Sequence, residues 1–212
     1  MPVNVRIDRI FQLLSSANPE PKGELNHVNP YTLLVAVVLS AQATDKGVNK
    51  ATEALFRKVT SPRQMVELGE ARLIEHIRTI GLFRAKAKNV ISLSELLIER
   101  FEGEVPRTRE ELESLAGVGR KTANVVLNIA FGEPTIAVDT HVFRVSQRLG
   151  LAKGKTPGDI ERQLEKVVPP RFKQHAHHWL ILHGRYSCVA RKPKCPDCPL
   201  KALCPFPEKT KA

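Results

Sequence analysis

The sequence predicts an all-α protein, and three observations carry that prediction. Apolar residues recur at helical spacing, as at Val90, Leu93, Leu97 and Phe101. Asn, Ser or Thr followed by Pro recurs where such segments begin, which is typical of an N-cap and a first helical residue. No convincing pair of segments alternates strictly between apolar and polar residues, so no sheet is expected. About ten helices joined by short loops are predicted.

The first half of the chain contains six predicted helices. Residues 31–39 are apolar on nearly every side, so a buried strand is the alternative there. The preceding Asn29-Pro30 favours a core helix, since asparagine caps a helix and proline suits its first residue. Gly81 is expected to end the fifth helix. The predicted bounds are 5–14, 31–39, 46–59, 62–68, 71–80 and 84–101.

The second half of the chain also contains residues that are typical of helix starts. Thr108 and Glu111 predict a capping box at a short helix that leads into a glycine-containing turn. Asp139 or Thr140 is expected to cap a later helix, and Thr156 followed by proline to begin another. The predicted helices after the turn span 120–131, 140–149, 157–168 and 172–186.

The turn at 117–119 makes a helical hairpin with a candidate anion site. Two glycines around one valine suit a sharp reversal, because glycine adopts positive φ. The N–H groups of residues 119–122 then lie at a helix start, where a phosphate is favoured. The helix dipole and Arg120 disfavour a charged ammonium on Lys121, which favours an amine nucleophile. Asp139 follows 18 residues later; a solvated lysine and an N-capping aspartate are the alternative interpretation.

The charge balance indicates a polyanionic partner. The 212 residues include 33 Lys and Arg against 22 Asp and Glu, a net charge of +11. Nucleic acid is the simplest partner for that excess, although some basic proteins bind none. No apolar run approaches membrane length, and the N-terminus has no apolar signal core. We therefore expect an intracellular protein that does not enter a membrane. Its cysteines are not expected to form disulfides, because the cell interior is reducing.

The four cysteines are expected to bind a metal centre. Cys188, Cys195, Cys198 and Cys204 lie within 17 residues, spaced Cys-x6-Cys-x2-Cys-x5-Cys. Structural Zn²⁺ and a [4Fe–4S] cluster are both compatible with four thiolates. Zinc ribbons usually carry two Cys-x2-Cys pairs, so the single pair favours iron–sulfur and leaves zinc open. Basic residues around these cysteines predict a basic surface: Arg185, Arg191, Lys192, Lys194 and Lys201.

Taken together, the hairpin, the downstream aspartate and the cysteine loop resemble endonuclease III, a family of helix-hairpin-helix DNA glycosylases. The resemblance covers nearly the whole chain. Its motifs occur in family order: LSAQATD (39–45), TIGLFRAKA (79–87), LAGVGRKTANVVLN (115–128), VDTHVFR (138–144), HHWLILHGR (177–185) and the cysteine tail. The resemblance implies a two-domain all-α glycosylase fold with a C-terminal [4Fe–4S] cluster loop. Residues 22–132 would form a six-helix bundle ending in the hairpin, and residues 1–21 plus 133–212 the domain that carries one cluster.

The resemblance also implies a base-excision-repair activity. A bifunctional DNA glycosylase and AP lyase would remove oxidised pyrimidines from double-stranded DNA and act on abasic sites. Lys121 matches the family nucleophile, which attacks C1′, forms a Schiff base and cuts 3′ to the abasic site by β-elimination. Asp139 matches the catalytic carboxylate. We expect a monomer in the bacterial cytoplasm, at the nucleoid.

Other site residues follow from the same resemblance. Gln42 and Leu82 match residues that fill the gap left by a flipped nucleotide, although either could simply be a surface residue. Carbonyls of Glu113, Leu115 and Val118 are expected to hold a monovalent cation. Ser40 and Asp45 are expected to line the pocket. The expected DNA contacts are Gln42, Leu82, Gly117, Gly119, Arg120, Thr122, His141, Arg144, Arg185 and Lys192. Four other histidines are expected to be structural: His175, His177, His178 and His183.

Two rival functions stay open at the level of sequence. One is an adenine or thymine mismatch glycosylase of the same superfamily; adenine-specific relatives differ at the lysine position. The other is a non-catalytic DNA-binding or redox-sensing module. The presence of both Lys121 and Asp139 argues against the second.

Overall fold

The computed structural model describes residues 1–210, and every regular element in these residues is helical. The all-α prediction is therefore confirmed. No described helix is long and apolar enough to cross a bilayer. The helices are α1 (Val3–Ala17), α2 (Pro30–Ser40), α3 (Asp45–Phe56), α4 (Pro62–Ile77), α5 (Phe83–Phe101), α6 (Arg109–Glu113), α7 (Arg120–Phe131), α8 (Thr140–Arg148), α9 (Pro157–Val167) and α10 (Lys173–Tyr186), with a 3₁₀ turn at Pro170–Phe172.

The chain forms two compact units. The hairpin unit is Glu24–Gly132, and the cysteine unit is Met1–Gly23 together with residues from Glu133 onward. The resemblance implies domain bounds at 21/22 and 132/133, and that assignment of domains stays a prediction.

The hairpin unit is built around α2. Every residue from Tyr31 to Leu39 is buried, and the helix packs on α3, α5 and α7. Its N-terminus has a capping box, in which the Asn29 side chain accepts from the N–H of Thr32. The Tyr31 hydroxyl lies 2.7 Å from the Ser94 hydroxyl of α5, which satisfies both polar groups inside the core. A helix that is apolar all round is stable only when it is enclosed in this way.

The cysteine unit packs α1, α8, α9 and α10 around a second core. Phe11, Phe172 and Trp179 form an aromatic cluster with ring centroids 5.9–6.4 Å apart. The Trp179 indole N–H donates to the carbonyl of Asn18, just after α1. Arg6 donates to the carbonyls of Leu149, Gly150 and Leu203. These long-range contacts attach the N-terminal helix to the C-terminal half of the chain.

Several predicted helix ends differ from the observed ones. The break expected between Leu68 and Ala71 occurs inside α4, where Gly69 adopts φ 78° and ψ 159°. Helices α3 and α4 each end three residues before their predicted ends, and α1 extends beyond both of its predicted ends. The Thr108 capping box is only half formed. Thr108 accepts from the N–H of Glu111, but the Glu111 carboxylate accepts from the Thr108 hydroxyl instead of the backbone.

Candidate functional site

The hairpin turn depends on one glycine of the predicted pair. Gly117 has φ 75°, and a Cβ there would lie 2.8 Å from Nδ2 of Asn89 on α5. Gly119 has an extended backbone, φ −104°, and a Cβ there would meet no atom within 4 Å. Of the two glycines, only Gly117 adopts positive φ. The reversal is made at Gly117, where α5 also approaches too closely for a side chain.

The start of α7 is a helix N-terminus without a side-chain cap, and the anion site expected there stays a prediction. Gly119 is the N-cap and has no side chain with which to cap the first turn. Arg120 and Lys121 are exposed in that turn, and Thr122 is half-buried. Helix α7 then continues for 12 residues, so its N–H groups and dipole are directed toward this end. The hairpin unit thus presents Lys121 at a positive helix terminus.

The three residues of the expected cation site also lie in this hairpin. Glu113 is the last residue of α6, while the side chains of Leu115 and Val118 are buried. The N–H of Val118 donates to the carbonyl of Leu115 at 3.1 Å, which closes the turn. A carbonyl oxygen has a second lone pair, so this bond is compatible with cation binding. The cation itself stays a prediction.

Two strained turns lie side by side in the hairpin unit. Gln42 has φ 53° and Leu82 has φ 58°, and both side chains are exposed. A Cβ built on Gly81 would lie 3.8 Å from the carbonyl oxygen of Gln42, so the turns are adjacent. Left-handed backbone is unusual for residues other than glycine and is often found at functional sites. Ser40 ends α2 and Asp45 begins α3 on either side of Gln42.

Asp139 is the N-cap of α8 in the cysteine unit. Its Oδ1 accepts hydrogen bonds from the backbone N–H groups of His141 and Val142, both at 2.8 Å. The capping alternative raised by the sequence is therefore realised, and Oδ2 takes no part in these bonds. Asp139 also lines an open pocket of about 390 Å³ with Phe143 and Lys155, neither of which the sequence singled out. Phe143 lies within the VDTHVFR motif but carried no predicted role, and no local motif marks Lys155.

Arg144 is used within the cysteine unit. Its guanidinium donates to the carbonyls of Cys188 and Gly184 at 3.1 and 2.8 Å, and lies 3.2 Å from Nδ1 of His141. Burial lowers the pKa of Arg144. These bonds attach α8 to α10 and to the cysteine loop. Its expected DNA contact stays a prediction, as do those of half-buried Arg185 and of Lys192, which is exposed with φ 51°.

The four cysteines line one small pocket. Burial raises the pKa of the Cys198 thiol, and the other three thiols are close enough to raise it further. Among the described residues, no three His, Cys, Asp or Glu side chains are spaced to hold one metal ion. Four partly buried sulfur donors around one space have the chemistry that a polynuclear iron–sulfur group requires.

Arg148 connects this loop to the end of α8. Its guanidinium donates to the carbonyls of Val189 and Ala190 at 2.8 and 3.0 Å and to the Cys188 sulfur at 3.5 Å. It also stacks over the ring of Phe206, 4.7 Å from the centroid. The sequence offers no signal for this role beyond a basic residue at a helix end. The contacts cross about 40 residues of chain.

Comparison with known proteins defines first the class and then the family. Residues 35–170 match the model of the HhH-GPD superfamily base excision DNA repair protein. The endonuclease III of Treponema pallidum (strain Nichols) is 57% identical over 198 residues, covering 93% of this chain and 94% of the relative. That of Haemophilus influenzae is 58% identical over 200 residues, covering 94% and 95%.

Solved structures agree with this assignment. A trapped endonuclease III–DNA covalent intermediate, in an estranged-adenine complex, matches with a TM-score of 0.90 and 46% identity over 97% of both chains. A non-covalent endonuclease III–DNA complex matches equally well. The chain belongs to the endonuclease III family of the HhH-GPD superfamily.

Proposed function

We propose that this chain removes oxidised pyrimidines from double-stranded DNA and cuts the strand at the resulting abasic site, with Lys121 as nucleophile. Membership of the family establishes the broader function: the protein is a base-excision-repair DNA glycosylase with AP lyase activity that acts on damaged bases. The base must leave the duplex before it reacts, because C1′ is inaccessible inside the stack.

Lys121 would perform the covalent steps. Its neutral Nζ forms a bond to C1′ while the bond from C1′ to the base breaks, and the base leaves with the electron pair and takes up a proton. Opening of the sugar ring gives an imine between Nζ and C1′. Loss of a C2′ proton then expels the 3′ phosphate by β-elimination, and water hydrolyses the imine to free the lysine. An amine is required, because an attacking water forms no imine.

Asp139 would supply the negative charge. A carboxylate stabilises positive charge that develops on the sugar, and it can help to remove the proton from the Lys121 ammonium before the neutral amine attacks. Its Oδ1 is held by two backbone N–H groups, which fixes the orientation of the group. Oδ2 is the oxygen that these bonds leave for the reaction.

The two strained turns would hold the DNA open. The Gln42 amide can donate to and accept from an unpaired base, and the exposed Leu82 can wedge between bases. Ser40 and Asp45 flank Gln42 and would line the pocket for the flipped base. The remaining contacts are proposed from Gly117, Gly119, Arg120, Thr122, His141, Arg144, Arg185 and Lys192.

The cysteine loop would hold one [4Fe–4S] cluster through Cys188, Cys195, Cys198 and Cys204. The cluster would act structurally, by connecting a loop with few apolar residues of its own. A yellow-brown protein with four irons per chain supports this, whereas a colourless zinc protein contradicts it. At the hairpin, carbonyls of Glu113, Leu115 and Val118 would bind a monovalent cation. We further propose a monomer that works in the bacterial cytoplasm, at the nucleoid.

One observation carries the proposal: an exposed lysine stands in the first turn of α7, directly after the Gly117 turn, in an endonuclease III chain. Borohydride reduces an imine to a stable amine and so traps the intermediate. Wild type should form a covalent complex with a duplex that carries thymine glycol or an abasic site. Lys121→Gln should form none, while Lys166→Gln, an exposed lysine on α9, should trap normally.

The outcomes separate the rivals. Trapping by Lys121→Gln would contradict the assignment of the nucleophile. Absence of any complex with wild type would favour a non-catalytic DNA-binding module. Release of an undamaged base from a mismatch, with thymine glycol left intact, would favour a mismatch glycosylase.

A further inference from the structure

Helix α10 carries two adjacent buried histidines, and one of them, His177, contacts the segment before Asp139. His177 and His178 are 5% and 6% exposed, and their rings meet edge to face with centroids 5.2 Å apart. Nδ1 of His177 lies 2.8 Å from the carbonyl oxygen of Ala137. Nδ1 of His178 has no hydrogen-bond partner among the described residues. His177 therefore makes the contact to Ala137, and the neighbouring His178 can serve as its control.

The acceptor of this bond belongs to the segment that leads to Asp139. Ile136, Ala137 and Val138 are buried and follow one another directly into the N-cap of α8. A carbonyl oxygen only accepts, so the geometry assigns the proton to Nδ1 of His177. The bond joins residues 40 positions apart and attaches this irregular segment to a long helix. The backbone two residues before Asp139 is thereby held in place.

The orientation of Asp139 depends on the same backbone. Its Oδ1 accepts from the N–H groups of His141 and Val142, so the carboxylate is fixed on one side by the first turn of α8. The chain that enters this turn is fixed on the other side at Ala137. We infer that His177 is a positioning residue that places the Asp139 carboxylate for the reaction. The inference rests on the proposed function, which gives Asp139 its catalytic role.

Loss of this bond should slow the chemical step without weakening DNA binding. A carboxylate displaced by a fraction of an ångström stabilises the transition state less well, and such displacements lower rates by about ten- to a hundredfold. The imidazole itself is buried and presents almost no surface to DNA. The rate of base release and the DNA affinity should therefore respond differently.

The experiment compares three variants with wild type. In His177→Asn the side-chain amide can take the place of Nδ1 and donate to Ala137. In His177→Gln the amide lies nearer the position of Nε2. His178→Asn is the matched control, since it changes the buried neighbour that makes no such bond. Single-turnover release of thymine glycol from a duplex gives the rate, equilibrium binding gives Kd, and thermal unfolding shows that each variant is folded.

His177→Gln should lower the rate by about tenfold or more with Kd within about twofold of wild type. His177→Asn and His178→Asn should both stay within about threefold of the wild-type rate. If His177 acts through Asp139, His177→Gln should produce no further loss in an Asp139→Asn background. Equal rates for the Asn and Gln variants, or a full additional loss in the double variant, would overturn the inference.

The same variants distinguish the positioning role of His177 from the catalytic role proposed for Asp139. Asp139→Asn with a wild-type rate would refute the catalytic role of Asp139 itself. A slow Asp139→Asn beside a wild-type rate for His177→Gln would refute only the positioning role of His177.

Discussion

Two substitutions of Leu82, to glycine and to alanine, distinguish the energetic cost of its backbone conformation from the function of its side chain. Leu82 adopts φ 58° and ψ 26° as the N-cap of α5, and its side chain is 59% exposed. This left-handed backbone brings the Cβ of an L-residue close to the following carbonyl. Glycine has no Cβ and relieves that contact, whereas alanine keeps it. Both variants lack the apolar side chain proposed to enter DNA.

The size of the effect follows from that difference. Left-handed backbone costs a residue other than glycine about 1 kcal/mol. The two variants lose almost the same side-chain burial, so the difference between their free energies of unfolding reports the backbone strain. Within an ordinary helix, alanine is more stable than glycine by roughly 0.5–1 kcal/mol. At position 82 the order should reverse, and the melting temperatures should differ by roughly 2–4 °C.

Thermal unfolding and base excision are measured on the same preparations. Leu82→Gly should unfold at a higher temperature than Leu82→Ala, while both variants lose about tenfold or more in kcat/KM on thymine glycol DNA. Leu96, a partly buried residue inside α5, is the control position. There the alanine variant should be the more stable of the two, because the backbone is helical.

Two results would contradict the strain and the role assigned to Leu82. An alanine variant at position 82 that is at least as stable as the glycine variant would contradict the strain. A glycine variant with wild-type excision would show that the exposed side chain has no part in the reaction, and that the turn serves only to start α5.

Three further predictions follow from local geometry. Gly117→Ala should lower the free energy of unfolding by about 1 kcal/mol or more in denaturant titrations, because the residue needs φ 75° and has no room for a Cβ. Gly119→Ala, with φ −104° and open space, should be tolerated. Burial lowers the pKa of His178 from 6.5 to about 4, so between these pH values the unfolded state binds a proton that the folded state does not. Stability should fall by up to about 3 kcal/mol as the pH drops through this window, and His178→Leu should flatten the dependence of melting temperature on pH. Arg148→Ala should lower iron content and visible absorbance, because the loop of Cys188 loses its bonds to α8, whereas Arg162→Ala, which removes only a surface ion pair, should retain both.

The helices were predictable because their signals are local. Asn29 and Thr156 cap α2 and α9 through bonds that span three residues. The positive φ of Gly69 falls where the sequence predicted a break. Helix α2 was ambiguous, since an all-apolar segment suits a buried strand as well as a core helix. In the structure this segment is a helix that packs on α3, α5 and α7.

The site was predictable only in part. Lys121, Asp139 and the cysteines stand out through residue type and spacing, and the resemblance to a family gave them roles. Their surroundings did not stand out. The strain at Gln42 and Leu82 has no sequence signature, because neither residue type favours positive φ.

The helical class, the hairpin and the four-thiol loop follow from the amino-acid sequence because each depends on residues a few positions apart, and the basic character follows from composition. Which glycine makes the turn, and what holds the loop and the carboxylate, depends on contacts between distant parts of the chain. Asn89 approaches Gly117 from another helix, Arg148 reaches the cysteine loop, and His177 reaches the segment before Asp139. The physical reason is that helical periods and caps encode short-range hydrogen bonds and one buried face. Contacts between residues distant in the sequence form only when packing brings their side chains together.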